Sequence, residues 1–236
     1  MKIEVIATAQ QVTEEQVKNK TVVVIDVLRA TSVMVTALSN GAKAVVPVLS
    51  PDEAFQIKKS SGCEVLLGGE RHAELIEGFD YGNSPLSYTP DVVKGKVVVM
   101  TTTNGTLAIH NSLLAKELYI ASFLNDKAIV NQLKEKQDIV LVCSGNNGLY
   151  TLEDALCAGR IIHLLQQQHS NIRLSDFALS IKALYESHQQ NIHNVAAQGY
   201  HYNVLRQKGY QQDLDYCFQT NVCDIVPEWS GDRIVG

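Results

Sequence analysis

The chain of 236 residues is 45% apolar and carries 20 basic against 25 acidic residues, for a net charge of −5. A chain this long and this apolar buries a core without disulfide or metal staples, so a disordered tail protein is excluded. The basic residues are scattered rather than run together, which argues against a nucleic-acid partner.

Runs rich in Val and Ile predict strands at residues 2–7, 21–26, 44–48, 64–67, 96–100, 117–120 and 139–143. Helical spacing between them predicts helices at 32–40, 51–60, 106–111, 125–135 and 152–168, the second capped by Ser50 with Pro51 at its first position. From residue 175 onward the pattern is helical, with one further strand expected at 224–226. Alternation of continuous apolar strands with helices implies an α/β fold: a three-layer arrangement with a largely parallel or mixed sheet and a mostly helical C-terminal third. No low-complexity linker interrupts the chain, so residues 1–236 read as one compact domain. Strand-turn-helix units recur at Val22, Val97 and Val140, which fits an internal duplication and ordinary βα succession equally well.

The longest apolar runs, 21–25 and 96–100, are strand-length and far below the roughly 20 residues of a membrane span, so no membrane partner is expected. Glu4 stands where a signal peptide needs its apolar core, and a cytoplasmic location is the expectation. The five cysteines form no C-x-x-C pair, so neither a disulfide framework nor a zinc site is indicated.

Ligands of open α/β sheets bind beyond the carboxyl ends of strands, and four such places carry chemistry-bearing residues. After the second strand, Asp26-Val27-Leu28-Arg29-Ala30-Thr31-Ser32 sets an acid, an arginine and two hydroxyls before a helix, a mixture suited to a cation-bound anion. Capping by Asp26 or Thr31 and a surface ion pair at Arg29 are the plain alternative. Gly68-Gly69-Glu70-Arg71 follows the fourth strand, with Asn83 and Ser84 in a polar loop beyond it. These too can be ordinary turn and surface residues. Thr101-Thr102-Thr103-Asn104-Gly105-Thr106 offers neutral donors for anion oxygens and has neither Walker nor dinucleotide-binding spacing, which disfavours ATP and dinucleotides.

The last place, Cys143-Ser144-Gly145-Asn146-Asn147-Gly148, precedes a helix start bearing Glu153 and Asp154. The helix dipole alone accounts for these acids, although Asp154 is also a candidate metal ligand. Cys143 lacks the arginine that closes a cysteine-phosphatase loop, since Leu149 stands there, and Asp26 lacks a second aspartate two residues on. Of the seven histidines only His72 adjoins a candidate loop, where it qualifies for a minor acid or base role.

Taken together, Val23-Val24-Ile25-Asp26-Val27-Leu28-Arg29-Ala30-Thr31-Ser32, Gly68-Gly69-Glu70-Arg71, Gly82-Asn83-Ser84-Pro85 and Thr101-Thr102-Thr103-Asn104-Gly105-Thr106 closely resemble the 2-phosphosulfolactate phosphatase family. The resemblance implies a magnesium-dependent phosphoric monoester hydrolase that converts (2R)-2-phospho-3-sulfolactate to 3-sulfolactate and phosphate, a step toward coenzyme M. In that reading Mg²⁺ is held by Asp26, Glu70 and Asp154. Asp26, Arg29 and Arg71 are catalytic, and Thr31, Ser32, Gly69, Asn83, Ser84, Thr103, Asn104 and Gly105 bind a small anionic phosphorylated substrate. Asp26 as a phosphorylated nucleophile stays open beside direct attack by water. Two alternatives stand: a phosphatase for another small phosphorylated hydroxy acid, and a phosphate-binding module without turnover. A homo-oligomer is the default expectation for a protein of this kind.

Overall fold

Val22 and Val24 point to one side of their strand, Val23 and Ile25 to the other, and all four are fully buried, so this strand is covered on both faces. The computed structural model describes all residues, 1–236. Its strands are β1 Lys2–Ile6, β2 Thr21–Ile25, β3 Ala44–Pro47, β4 Val65–Arg71, β5 Glu74–Leu75, β6 Val97–Thr101, β7 Glu117–Ala121, β8 Asp138–Cys143, β9 Arg173–Leu174, β10 Glu228–Ser230 and β11 Arg233–Val235. They form one mixed sheet in the order β5-β4-β6-β3-β11-β10-β7-β2-β8-β1-β9. The helices are α1 Glu14–Val17, α2 Ala30–Ser39, α3 Pro51–Ser60, α4 Pro90–Val93, α5 Gly105–Asn111, α6 Asp126–Leu133, α7 Leu152–Gln168, α8 Asp176–His188, α9 Ile192–Ala196, α10 Tyr200–Gln207 and α11 Gln211–Cys217.

Two parallel blocks carry the sheet: β7-β2-β8-β1, and β4-β6-β3. Val22, Val24, Leu118, Ile120, Val140 and Val142 share a core with α2 and α5. Val23, Ile25, Tyr119, Ala121, Leu141 and Cys143 share the other with α6, α7 and the C-terminal helices. In the second block Leu67, Val97 and Val99 pack on Ala54 of α3. Helices therefore cover both faces, as the continuous apolar strands require. Ser50 caps α3 by accepting from the Glu53 N–H at 3.2 Å, with Pro51 at its first turn. No helix is long and apolar enough to cross a membrane.

One expected strand is absent. Residues 224–226 are irregular, and the C-terminal strands are instead the antiparallel hairpin β10–β11, turned at Gly231 with φ +70°. This hairpin lies between β7 and β3, in ladder register with each at a single residue pair, Glu228 with Tyr119 and Ile234 with Val45. It joins the two blocks while adding almost no strand pairing to either.

Candidate active site

The loops leaving β2, β4, β6 and β8 meet in one cavity of about 280 Å³, roofed by α10. Asp26, Leu28, Arg29, Glu70, Asn83 and Thr102 through Asn104 stand in its wall, with Asn146 and Asn147 beside them. All four sequence segments that carried chemistry therefore contribute to a single place.

Asp26 is the first residue beyond β2, and its backbone and side chain both hold the loop in shape. Its Oδ1 accepts the Ala30 N–H at 3.0 Å, capping α2, and its own N–H donates to Thr31 Oγ1 at 2.9 Å. Thr31 Oγ1 donates back to the Asp26 carbonyl at 2.8 Å, while Ser32 Oγ donates to the Val27 carbonyl at 2.8 Å. Thr31 and Ser32, expected at the substrate, are thus fully buried loop braces outside the cavity wall. Asp26 Oδ2 is left without a protein donor. Burial, then the charges of Asp154 and Glu70, push the Asp26 carboxyl well above the usual carboxylate range.

Gly105 explains how α5 comes this close. A Cβ there would lie 2.7 Å from Asp26 Oδ2 and 2.5 Å from Ala30 Cβ, so only glycine lets the start of α5 meet the start of α2 at the carboxylate. Gly69 does the same for two strands: at φ +141°, its Cβ would stand 2.0 Å from the Thr101 carbonyl oxygen. Its task is strand approach.

Glu70 ties the β4 end to the β6 loop. Its Oε1 accepts from Thr103 N at 2.8 Å and Thr103 Oγ1 at 3.0 Å, and its Oε2 from Ala73 N at 2.8 Å. Arg71 turns away from the cavity wall, donating to the carbonyls of Glu70 at 2.7 Å and Leu49 at 3.2 Å and to Thr101 Oγ1 at 2.9 Å. Asn104 Oδ1 accepts the Asn147 N–H at 2.9 Å, linking the β6 and β8 loops. Asn83 Oδ1 is buried in the cavity wall with no hydrogen-bond partner.

Asp154 does not reach the cavity. Its Oδ1 accepts Val27 N at 2.8 Å, and its Oδ2 accepts Gly145 N at 3.0 Å and Thr151 Oγ1 at 2.9 Å, clamping the ends of β2 and β8 together. Burial holds its carboxyl up at about 6 and that of adjacent Glu153 at about 8. Cys143 is buried and its thiol is pushed well above its ordinary value, which removes the thiolate a nucleophile needs.

Arg29 lies in the cavity wall yet is buried to 2% exposure, with its Nη1 donating to Asp213 Oδ2 at 2.5 Å and its guanidinium 3.9 Å above the Tyr210 ring. Ser84 Oγ donates to the other Asp213 oxygen at 2.6 Å. His201 Nε2–H donates to the Leu28 carbonyl at 2.8 Å, and burial holds its imidazole below the ordinary value. Asp213, Tyr210, His201 and Lys208, all from the C-terminal helices, were not legible as site residues. The only sequence signal was the helical spacing of 201, 204, 205 and 208, which defines a face but not what it faces.

A hard cation needs oxygen ligands, and no three Asp, Glu, His or Cys side chains converge as a closed cage. Mg²⁺ ordinarily takes one or two carboxylates and completes its shell with water and phosphate. The Asp26 carboxylate and the unpartnered Asn83 Oδ1 fit that open mode. In Glu70 and Asp154 every carboxylate oxygen already accepts at least one protein hydrogen bond.

Residues 6–232 match the family model described as 2-phosphosulpholactate phosphatase. The chain is 46% identical over 235 residues to a probable 2-phosphosulfolactate phosphatase of Clostridium novyi, covering 99% of both chains. It is 44% identical over 237 residues to one of Clostridium botulinum (100% and 99% covered) and 42% over 236 residues to one of Clostridium acetobutylicum (100% of both). With its strand-end motifs gathered at one cavity and these similarities running end to end, the chain belongs to the 2-phosphosulfolactate phosphatase family.

Proposed function

We propose that this cavity hydrolyses 2-phospho-3-sulfolactate to 3-sulfolactate and phosphate, with Mg²⁺ as cofactor and Asp26 as the residue on which turnover depends. The observation that carries the reading is Asp26 Oδ2: an oxygen of a buried side chain, free of protein donors and against the start of α5, in a wall that also presents the threonine and asparagine groups of the β6 and β8 loops. The relatives, probable 2-phosphosulfolactate phosphatases, suggest the substrate.

Asp26, with Asn83, would hold the cation. When bound, Mg²⁺ supplies charge to polarise the phosphoryl oxygens. The Asn104 and Gly105 N–H groups at the start of α5 receive phosphate oxygens, whereas those of Thr103 and Thr106 are already given to Glu70 and Thr102. Arg29 keeps N–H donors beyond the one given to Asp213, and these stabilise charge on the equatorial oxygens in the transition state. Water attacks phosphorus, the bond from phosphorus to the ester oxygen breaks, and the proton that the attacking water gives up goes to the leaving alkoxide, which becomes the hydroxyl of sulfolactate. Arg71 and Asp154 act at one remove, by fixing the strand ends from which these groups project.

The test is phosphate release from 2-phospho-3-sulfolactate and from other phosphorylated hydroxy acids, with Mg²⁺. Preference for the sulfonate ester supports the proposal. Preference for another ester keeps the phosphatase and overturns the substrate, and no turnover on any ester overturns the enzyme in favour of a binding module.

A further inference from the structure

One face of α10 looks into the cavity. His201, Val204 and Leu205 of α10 and Lys208, which caps its C-terminus, stand at the spacing of a single helical stripe, and all four line the wall. Only two lysines or arginines reach that wall, Arg29 and Lys208, and they differ in kind. Arg29 is locked between Asp213 and Tyr210. Lys208 instead pairs at 2.5 Å with Glu74 of β5, whose side chain is 72% exposed. An ion pair so open to water contributes little and exchanges readily for the anion of a ligand.

The stripe also fixes where this cation stands. His201 is anchored at Leu28, beside Asp26, and Lys208 follows seven residues on, roughly 10 Å further along the helix. The cavity therefore has a carboxylate end, built by the β2 and β6 loops, and a cationic end at Lys208. His201 adds no charge there, because burial lowers its imidazole despite the hydrogen bond to Leu28.

We infer that Lys208 is the specificity residue that binds the sulfonate of the substrate, and that Glu74 occupies its ammonium when the cavity is empty. The inference rests on the phosphatase reading for the opposite end of the substrate. A lysine suits this group better than an arginine: a sulfonate presents three equivalent oxygens and no plane, which matches three rotating donors, whereas the arginine fork matches a planar carboxylate.

Kinetics with 2-phospho-3-sulfolactate and with 2-phospholactate, which keeps the carboxylate and lacks the sulfonate, test it in wild type, Lys208→Met and Glu74→Gln. In Lys208→Met the KM for the sulfonate ester rises roughly ten-fold more than the KM for 2-phospholactate, with kcat little affected. Glu74→Gln lowers the KM for the sulfonate ester, since the competing carboxylate is gone. Equal KM changes for both esters, or none, overturn the assignment. Calorimetric titration of 3-sulfolactate separates this from the parent reading. If wild type hydrolyses neither ester, the phosphatase reading fails, and the subsite stands only if Lys208→Met binds 3-sulfolactate roughly ten-fold more weakly than wild type; equal binding overturns it.

Discussion

Arg29 and Asp213 stand 184 residues apart in the chain and form an ion pair at 2.5 Å with both side chains almost wholly buried. This pair fastens the C-terminal helices over the strand-end loops, and Ser84 shares it through the second Asp213 oxygen. Removing one partner leaves the other charge buried without compensation. Asp213→Ala is therefore expected to lower unfolding stability by about 3–5 kcal/mol. Urea denaturation of the two proteins checks it, and an unchanged midpoint would contradict the pairing.

Gly105 is expected to tolerate no side chain. In Gly105→Ala the new methyl meets Asp26 Oδ2 and Ala30 Cβ, both fixed by the cap of α2. A shift of about 1 Å at reacting groups costs on the order of 100-fold in rate, so kcat falls by that order while overpacking lowers stability by about 1–3 kcal/mol. Steady-state kinetics and a thermal melt on the same preparation read the two effects separately.

Asp154 and Asp26 are expected to fail differently. Asp154→Ala removes the acceptor for Val27, Gly145 and Thr151 and so lowers the melting temperature, while the Mg²⁺ concentration giving half-maximal activity stays near wild type. A large rise in that concentration would make Asp154 a cation ligand after all.

Glu153 gives stability a pH dependence of known sign. Burial raises its carboxyl from 4.5 in an exposed chain to about 8 in the fold, so the folded state binds the proton more tightly. Its contribution is complete below about pH 4.5 and is lost as pH rises through about 8. Glu153→Gln keeps the neutral shape and flattens the fall of melting temperature between these limits. A variant with the wild-type pH slope would contradict a protonated Glu153.

The strand-end loops were legible because each couples a buried apolar run to an abrupt cluster of polar residues. That pattern marked Asp26, Arg29, Glu70 and the Thr101 to Thr106 segment, and all of these segments meet at the cavity. What spacing left open was direction: Thr31, Ser32, Gly69 and Arg71 stand in the right loops but turn their bonding inward, as braces. Asp213 and Lys208 carried no local sign, since a contact across 184 residues is a product of packing. The β10–β11 hairpin was hidden for a different reason. Each of its strands has three residues, too few for alternation to register, and Ser230-Gly231-Asp232 was its one turn signal.

The central claim is that Asp26 makes this cavity a cation-dependent phosphatase. Phosphate release from 2-phospho-3-sulfolactate by wild type and Asp26→Asn, each with Mg²⁺ and with chelator, tests it most directly. The account predicts turnover only for wild type with Mg²⁺, with the variant folded but reduced by at least roughly 100-fold, as for loss of a group acting in the transition state. Asp26→Asn at the wild-type rate, or wild type indifferent to chelator, would contradict it.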